Sequence, residues 1–520
     1  MRTDGLLDNM VGFGSETKGG SGGEVVYIDT LKDTDSKGSL RYALETVKSP
    51  RIVIPRVSGV IFLEDNIEVE HPFLTLYGMG MLTTAGNRVI LRTHDIIFSD
   101  MRFRLGDKIT MDNPDVTNSL FIHYEKNADA DKCSRNIYIR NASVSWCMDT
   151  NIGIWNANWN DRKDVNKDTP QIRRITIERS IISEPQRYSL HSEAQDRKSI
   201  GHARNLLIGG GVTDISLYHN LFAHAEDRNA QIKGGKIDMQ GNVFYNCGHK
   251  TRVGKSPKKS PGVECITMNY QNNLQIDGPN NKGQWGKINM LVMVDPGKPS
   301  QIFLKDNVNK WRSGQGEDEN KITGDTDRAN KGPINERYLS KKPIDMPFES
   351  YQYTPIDPDN TEAYLKTFLA GIGAGAKLGT RDKIDQRITK EVLSKTGEII
   401  DIESIGKGKR AEYDNTEYKP EAVSLPNIDP VKPDPDEDEE NKPDPQQAKI
   451  QELQQENKKL QSWIKSLKKK RKDQKEAYDR LQFEYDKVSE KVVSLRGHAA
   501  GLYEFIQEEF PDLLEEAEPE

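Results

Sequence analysis

Short runs with apolar residues at alternate positions recur through roughly the first 400 residues of the chain. Alternation with a period of two predicts β-strands with one buried face. The starts of the runs lie roughly 20 to 40 residues apart, which is the length of one solenoid coil with its loops. The runs begin at Ile137, Ile175, Ile215, Ile237, Ile266 and Ile302.

A polar position follows several of these runs at a constant offset. Asn220, Asn242 and Asn307 each lie five residues after the first isoleucine of their run. Stacked coils would bring these asparagines into one internal ladder, and two-residue hairpin signals between the runs are scarce. The pattern therefore favours a parallel solenoid, with an all-β sandwich as the alternative. A helix is predicted over 381–394, capped by Thr380 and packed on the outside.

The composition changes in the last quarter of the chain. Residues 406–446 are rich in proline and acidic side chains, which predicts an extended linker without a core. With Ile450 at position a, fourteen of the seventeen a and d positions in 447–520 are apolar or tyrosine, which predicts a coiled coil followed by an acidic tail. One long helix folded back on the N-terminal part is the alternative. Asn457 at an a position favours a parallel dimer, and tyrosines at two other a positions leave a trimer open.

Charge and hydropathy exclude some classes of protein. The 520-residue chain has 74 Lys and Arg against 81 Asp and Glu, a net charge of −7, which does not favour nucleic-acid binding. Its mean hydropathy is −0.76 and no run of 18 apolar residues occurs, so no membrane span is predicted. The four cysteines form no CxxC pair. The first residues lack the apolar segment of a secretion signal, so we expect a protein made in the cytosol, unless such a signal has been removed.

Several segments follow one another in the order found in the pectate lyases, a polysaccharide lyase family built on a right-handed parallel β-helix. They are GFGSETKGGSGG, GSLRYAL, RIVIPRVSGV, NASVSW, ITIERSIISEP, NLLIGGG, ISLYHNLFAHAEDRNAQIKGG and GAGAKLGTRDKIDQRITKEV. The resemblance covers residues 1–405 and implies an all-β, right-handed parallel β-helix for that part. The expected organisation is therefore a pectate-lyase-like domain at 1–405, a linker at 406–446, and a coiled coil with its tail at 447–520.

The resemblance also implies a reaction. Pectate lyases cleave uronate polymers by β-elimination, which requires a neutralised substrate carboxylate and a base for the C5 proton. Arg228, in the run RNAQIK, matches the arginine proposed to abstract that proton, and Lys233 keeps the second charge of the family pattern. Arg204 lies near the position of a substrate-binding lysine. Each arginine also has a structural interpretation, an ion pair for Arg228 and a surface side chain for Arg204.

Calcium usually neutralises the carboxylate in this family, because it binds six to eight hard oxygen ligands. The resemblance places the candidate ligands at Asn118, Asp149 and Asn151, where asparagines stand in place of charged aspartates. Asp149 and Asn151, at i and i+2 of a strand, are expected to face the same side. We therefore predict weak calcium binding or none. Four histidines lack metal-ligand spacing and are interpreted as core or ladder residues: His191, His202, His219 and His224.

Two functional hypotheses follow. The first is a lyase that cleaves an anionic, uronate-containing polysaccharide. The second is a glycan-binding or structural protein that has kept the β-helix and lost catalysis. The coiled coil and the missing secretion signal would suit a bacteriophage tailspike or fibre, in which self-association and contacts with other virion proteins add multivalent binding.

Overall fold

All pairings between the described strands are parallel, and these strands form three sheets. The computed structural model describes residues 9–106, 113–160, 169–194, 201–254, 265–281, 290–294, 300–309, 323–325, 334–349 and 351–401. The linker predicted at 406–446 and the coiled coil predicted at 447–520 lie outside the described residues.

The strands are grouped by sheet. Sheet A has ten: β1 (Glu24–Ile28), β2 (Arg51–Pro55), β5 (Leu74–Tyr77), β8 (His94–Ser99), β11 (Arg135–Arg140), β14 (Ile172–Glu178), β17 (Val212–Tyr218), β20 (Gly235–Gln240), β23 (Ile266–Gln271) and β26 (Gln301–Lys305). Sheet B has eight: β3 (Gly59–Phe62), β6 (Leu82–Ala85), β9 (Arg102–Arg104), β12 (Ser143–Ser145), β15 (Ile181–Ser183), β18 (Leu221–Ala225), β21 (Val243–Cys247) and β24 (Leu274–Ile276). Sheet C has nine: β4 (Ile67–Val69), β7 (Val89–Leu91), β10 (Leu120–Tyr124), β13 (Thr150–Asn156), β16 (Arg204–Ile208), β19 (Asp227–Ile232), β22 (Thr251–Gly254), β25 (Leu291–Val294) and β27 (Thr323–Asp325).

From β2 to β25, each coil adds one strand to sheet A, then one to sheet B and one to sheet C. For example, β14, β15 and β16 form one coil, and β17, β18 and β19 form the next. The fold is the right-handed parallel β-helix that the resemblance implied. Two α-helices follow the coils, α1 (Thr361–Ala370) and α2 (Lys383–Ser394). In the part of the chain that the structure covers, no helix has the length and apolar character needed to cross a membrane.

The interior is filled by apolar side chains that stack from coil to coil. The predicted isoleucines share one register and are fully buried: Ile137, Ile175, Ile215 and Ile237. In the next coil the register continues through Met268, which pairs with Ile237. Ile266 pairs instead with Gly235, which lies two residues before Ile237. Met268 in turn pairs with Ile302. β23 begins at Ile266, where the run was predicted to begin, but the residue that continues the isoleucine register is Met268.

An asparagine ladder runs between sheets A and B. The backbone N–H groups of Asn220, Asn242 and Asn273 donate to the next asparagine's Oδ1, each over 3.0 Å, and the ladder ends at Asn307. The side-chain amides donate in turn to backbone carbonyls of the preceding coil, for example from Asn242 to Leu217 over 2.9 Å. All four asparagines are fully buried. The predicted ladder is confirmed, and Asn273 is a member that the sequence analysis missed.

Helix α2 lies where the sequence predicted a helix, but it begins at Lys383. Its N-cap is Asp382, whose carboxylate accepts a hydrogen bond from the backbone N–H of Asp385 over 2.8 Å. Thr380, the predicted cap, instead donates its hydroxyl to the carbonyl of Met79 over 2.6 Å. The predicted start was therefore two residues early. The apolar face is buried against sheet B as expected, through Ile384, Ile388 and Val392.

Candidate active site

The outer face of sheet C forms a cleft of about 380 Å³. Alternation along β13 explains its floor, since Ile152 and Ile154 are buried inside while Gly153 and Trp155 face the cleft. The neighbouring strands add polar and aromatic side chains. The lining residues are Asp115, Val116, Asn118, Phe121, Asp149, Gly153, Trp155, His191, Ser192, Glu193, His202, Arg204, Leu207, Arg228 and Lys233.

Arg228 projects into this cleft from the start of β19. Its guanidinium donates to the Thr150 hydroxyl over 2.7 Å and to Asp149 Oδ1 over 3.3 Å. The side chain is 21% exposed, so a substrate can still reach it. The ion pair expected from the structural interpretation of Arg228 is present, and it lies inside the same cleft as the candidate site.

Lys233 follows the last residue of β19 and is half-buried. Its Nζ lies 5.0 Å from the centroid of the Trp155 ring, within the range of a cation–π contact. Within the ranges that the structure describes, this ammonium makes no hydrogen bond and no ion pair. Burial, together with the nearby Arg228, lowers the pKa of Lys233 to about 8.

Arg204 opens strand β16 and completes a group of three cationic side chains. Its guanidinium donates to Glu193 Oε2 over 3.3 Å and contacts Nε2 of His202. Burial and the charge of Arg228 lower the pKa of Arg204 to about 10, so it stays protonated at neutral pH. The structure thus brings Arg204, Arg228 and Lys233 into one cleft.

The three predicted calcium ligands do not come together. Asn118 lines the cleft, and its side-chain amide donates to the Thr150 carbonyl over 2.9 Å. Asn151 is fully buried; its Oδ1 accepts from the Cys147 N–H over 3.2 Å, and its amide donates to Asn205. Asp149, just before β13, lines the cleft, whereas Asn151 does not line it and is buried. The expectation that these two side chains face the same side was wrong.

A cluster of Asp149, His191 and His202 stands beside the arginines. One ligand atom from each of these side chains lies within 4.8 Å of the other two, and the imidazole rings stack with centroids 3.6 Å apart. Burial, with the positive charge of Arg204, holds the pKa of His202 far below its usual range, so this ring is neutral. The sequence alone indicates core or ladder positions for both histidines, because their 11-residue separation matches no local ligand spacing.

Calcium does not fit these residues well. The ion prefers a shell of hard oxygens, whereas this cluster offers two imidazoles and one carboxylate. The Oδ1 atom of that carboxylate already accepts hydrogen bonds from Arg228 and Thr150. One imidazole nitrogen of the cluster also has a hydrogen-bond partner, because His191 Nδ1 accepts from the Glu193 N–H over 3.1 Å. The sequence prediction of weak or absent calcium binding stays a prediction.

Comparisons with known proteins agree with the sequence resemblance. The chain is 27% identical over 248 residues to a probable pectate lyase C from Emericella nidulans. The aligned segment covers 46% of this chain and 47% of that protein. The resemblance to pectate lyases is confirmed. The chain spans about half the length of this curated relative. No family model matches the chain.

Several solved structures are also similar to the chain. One is the pectate lyase Bsp165PelA from Bacillus sp. N165 in complex with trigalacturonate, at 13% identity and a TM-score of 0.44, covering 71% of this chain and 100% of that chain. Another is jun a 1, the major allergen from cedar pollen, at 12% identity and a TM-score of 0.42, covering 71% and 94%.

Proposed function

We propose that this chain is a polysaccharide lyase that cleaves an anionic, uronate-containing glycan by β-elimination. The observation that carries the proposal is the grouping of Arg204, Arg228 and Lys233 in one open cleft on sheet C. The similarity to a probable pectate lyase supports the same class of reaction. A polymer of acidic sugars would supply the negative charge that such a cleft binds.

The chemistry needs positive charge close to the substrate carboxylate, since withdrawing electron density makes the C5 proton acidic. Arg228 and Arg204 are suited to this task, because a guanidinium binds a carboxylate through two parallel hydrogen bonds. Calcium would supply the same neutralisation in a pectate lyase, but the residues present do not favour it. The proposed reaction therefore relies on the side chains of this chain, and we expect activity without added calcium.

The second candidate function is glycan recognition without cleavage. The ion pair between Arg228 and Asp149, at 3.3 Å, favours it, because a guanidinium held by an internal carboxylate is less available to a substrate. Binding of an acidic glycan would then remain while no bond is broken.

We also propose that the chain belongs to a bacteriophage particle and self-associates as a dimer or trimer. The heptad pattern at 447–520 motivates this proposal. A virion-bound lyase would meet surface polysaccharides from outside the cell, and several linked copies would increase avidity for a repetitive glycan.

The test of the lyase proposal is the ultraviolet absorbance of unsaturated uronate products. Polygalacturonate and a panel of acidic capsular glycans would be incubated with the full chain, with calcium or with a chelator. We expect absorbance to rise in both conditions for at least one glycan. Arg228→Ala should lower the rate by about 100-fold or more, because it removes a charge from the developing carbanion.

The matched control is Arg56→Ala. Arg56 is 55% exposed, pairs with Asp29 over 3.5 Å, and does not line the cleft. The lyase proposal fails if no glycan yields product while binding is intact, which would support the recognition function. It also fails if Arg228→Ala is as active as Arg56→Ala.

A further inference from the structure

The three cationic side chains of the cleft differ in their hydrogen-bond and ion-pair partners. Arg228 donates to Asp149 and Thr150, and Arg204 donates to Glu193. Lys233 points its ammonium at the face of Trp155 and makes no hydrogen bond or ion pair among the described residues. A half-buried ammonium without an acceptor is costly, because its lost hydration is not replaced. Burial and the nearby Arg228 therefore favour the neutral amine, against the attraction between the ammonium and the Trp155 ring.

A neutral amine and a guanidinium have different chemical uses. The guanidinium keeps its proton below about pH 12 and has no lone pair for a proton, so it serves as a charge. An amine that is half-buried beside another cation can accept a proton near neutral pH. Of the three cationic side chains that line this cleft, Lys233 is the one that makes no hydrogen bond or ion pair with a described residue.

We propose that Lys233 is the catalytic base that takes the C5 proton of the substrate, and that Arg228 holds the substrate carboxylate. This inference rests on the proposed lyase function. It reverses the assignment implied by the sequence resemblance, in which Arg228 abstracts the proton and Lys233 only contributes charge.

The step balances as an elimination. The lone pair of Lys233 Nζ forms a bond to the C5 proton, and the electrons of the C5–H bond become the C4–C5 double bond. The bond between C4 and its oxygen breaks, and that oxygen leaves with the electron pair and takes a proton from water. The Lys233 ammonium then returns its proton to solvent, so no oxidant, reductant or further reactant is consumed.

The titration of Lys233 agrees with this role. Burial and the positive charge of Arg228 lower its pKa to about 8, against an opposing effect of Asp149. About a tenth of the molecules would then carry the neutral amine at pH 7, and about half at pH 8. Arg204 and Glu193 line the same cleft and already form a pair. The rate should rise with pH through this range and level off above it.

The experiment measures kcat and KM from pH 6 to 10 for the full chain and for Lys233→Arg. The variant keeps the charge but not the proton acceptor. We expect kcat to fall by about 100-fold or more while KM changes little. Lys236→Arg is the matched control, since Lys236 lies on β20 outside the cleft. Lys233→Ala should regain activity when ethylamine is added, in proportion to the concentration of neutral amine.

A second readout does not need activity. Competitive acylation of amines, followed by mass spectrometry, reports the pH at which each lysine loses its proton. Lys233 should titrate near pH 8, whereas an ordinary lysine titrates at about 10.4. The inference is overturned if Lys233 titrates as an ordinary lysine, or if Lys233→Arg turns over substrate as fast as the unaltered chain. If the unaltered chain cleaves no glycan, the proposed function itself has failed.

Discussion

Glu226 offers a test of how burial changes the pKa of a carboxyl group and, through it, the pH dependence of stability. It lies between β18 and β19 and is 8% exposed. Its Oε1 is 3.9 Å from the Arg187 guanidinium, and its Oε2 has no hydrogen-bond partner among the described residues. Burial raises the pKa of this carboxyl to about 8, with Arg187 opposing the shift and the nearby Asp401 and Asp227 adding to it. Replacing it with glutamine keeps the shape of the side chain and removes the titration.

The sign follows from proton binding in the two states. The folded chain holds the proton on Glu226 up to about pH 8, whereas the unfolded chain releases it near pH 4.5. The stability contributed by protonated Glu226 is therefore complete below pH 4.5 and is lost as the pH rises to about 8. Each pH unit in this window costs about 1.4 kcal/mol, so the loss reaches about 3 kcal/mol by pH 7. Glu226→Gln should abolish this loss.

The assay is urea unfolding of both proteins at pH 5, 6, 7 and 8, followed by tryptophan fluorescence. We expect the variant to be little changed at pH 5 and to gain stability over the unaltered chain at each step upward. Glu16→Gln, at an exposed glutamate, should show no such trend. A constant difference between variant and unaltered chain from pH 5 to 8 would refute the reasoning, because it would mean that Glu226 is ionised in the folded state.

Two further predictions concern the ladder and the assembly. Asn242→Ala should lower the free energy of unfolding by about 3 to 5 kcal/mol in the same urea assay. The reason is that it leaves the Leu217 carbonyl and the Asn220 N–H unpaired in the interior. A loss below about 1 kcal/mol would contradict a stabilising role for the ladder. The assembly proposal predicts a light-scattering mass of two or three times 58.9 kDa for the full chain and its detection by mass spectrometry in purified phage particles. A monomeric mass, or absence from the particles, would count against it.

The repeat was readable from the sequence because each coil places the same residue type at the same position. The spacing from Ile215 to Asn220 equals that from Ile237 to Asn242, so the ladder could be predicted without a structure. The coil containing Asn273 was misread, since its first isoleucine, Ile266, lies two residues before the residue in register. A count from Met268 restores the five-residue offset. Alternation alone cannot tell which of two inward positions continues the stack.

The site was only partly predictable, because it depends on contacts between coils. Arg204, Arg228 and Lys233 could be nominated through the resemblance, and they do share the cleft. The burial of Asn151 could not be predicted, since a one-residue change in where β13 begins decides which face each side chain takes. The His191–His202 stack was missed because its partners come from a segment that follows β15 and from the entry to β16.

The charged side chains of the cleft differ in whether they already have an ion-pair partner. The Arg228 guanidinium contacts the Asp149 carboxylate, and Glu193, which is 65% exposed, pairs with Arg204. Under the proposed lyase function, a substrate carboxylate would replace either partner by forming two hydrogen bonds with a guanidinium. Lys233 has no hydrogen-bond or ion-pair partner among the described residues, so its proton is governed by burial and by the charge of its neighbours. Binding of an acidic sugar would add negative charge beside it and raise its pKa, which makes a neutral Lys233 best suited to the alkaline side of the proposed pH range.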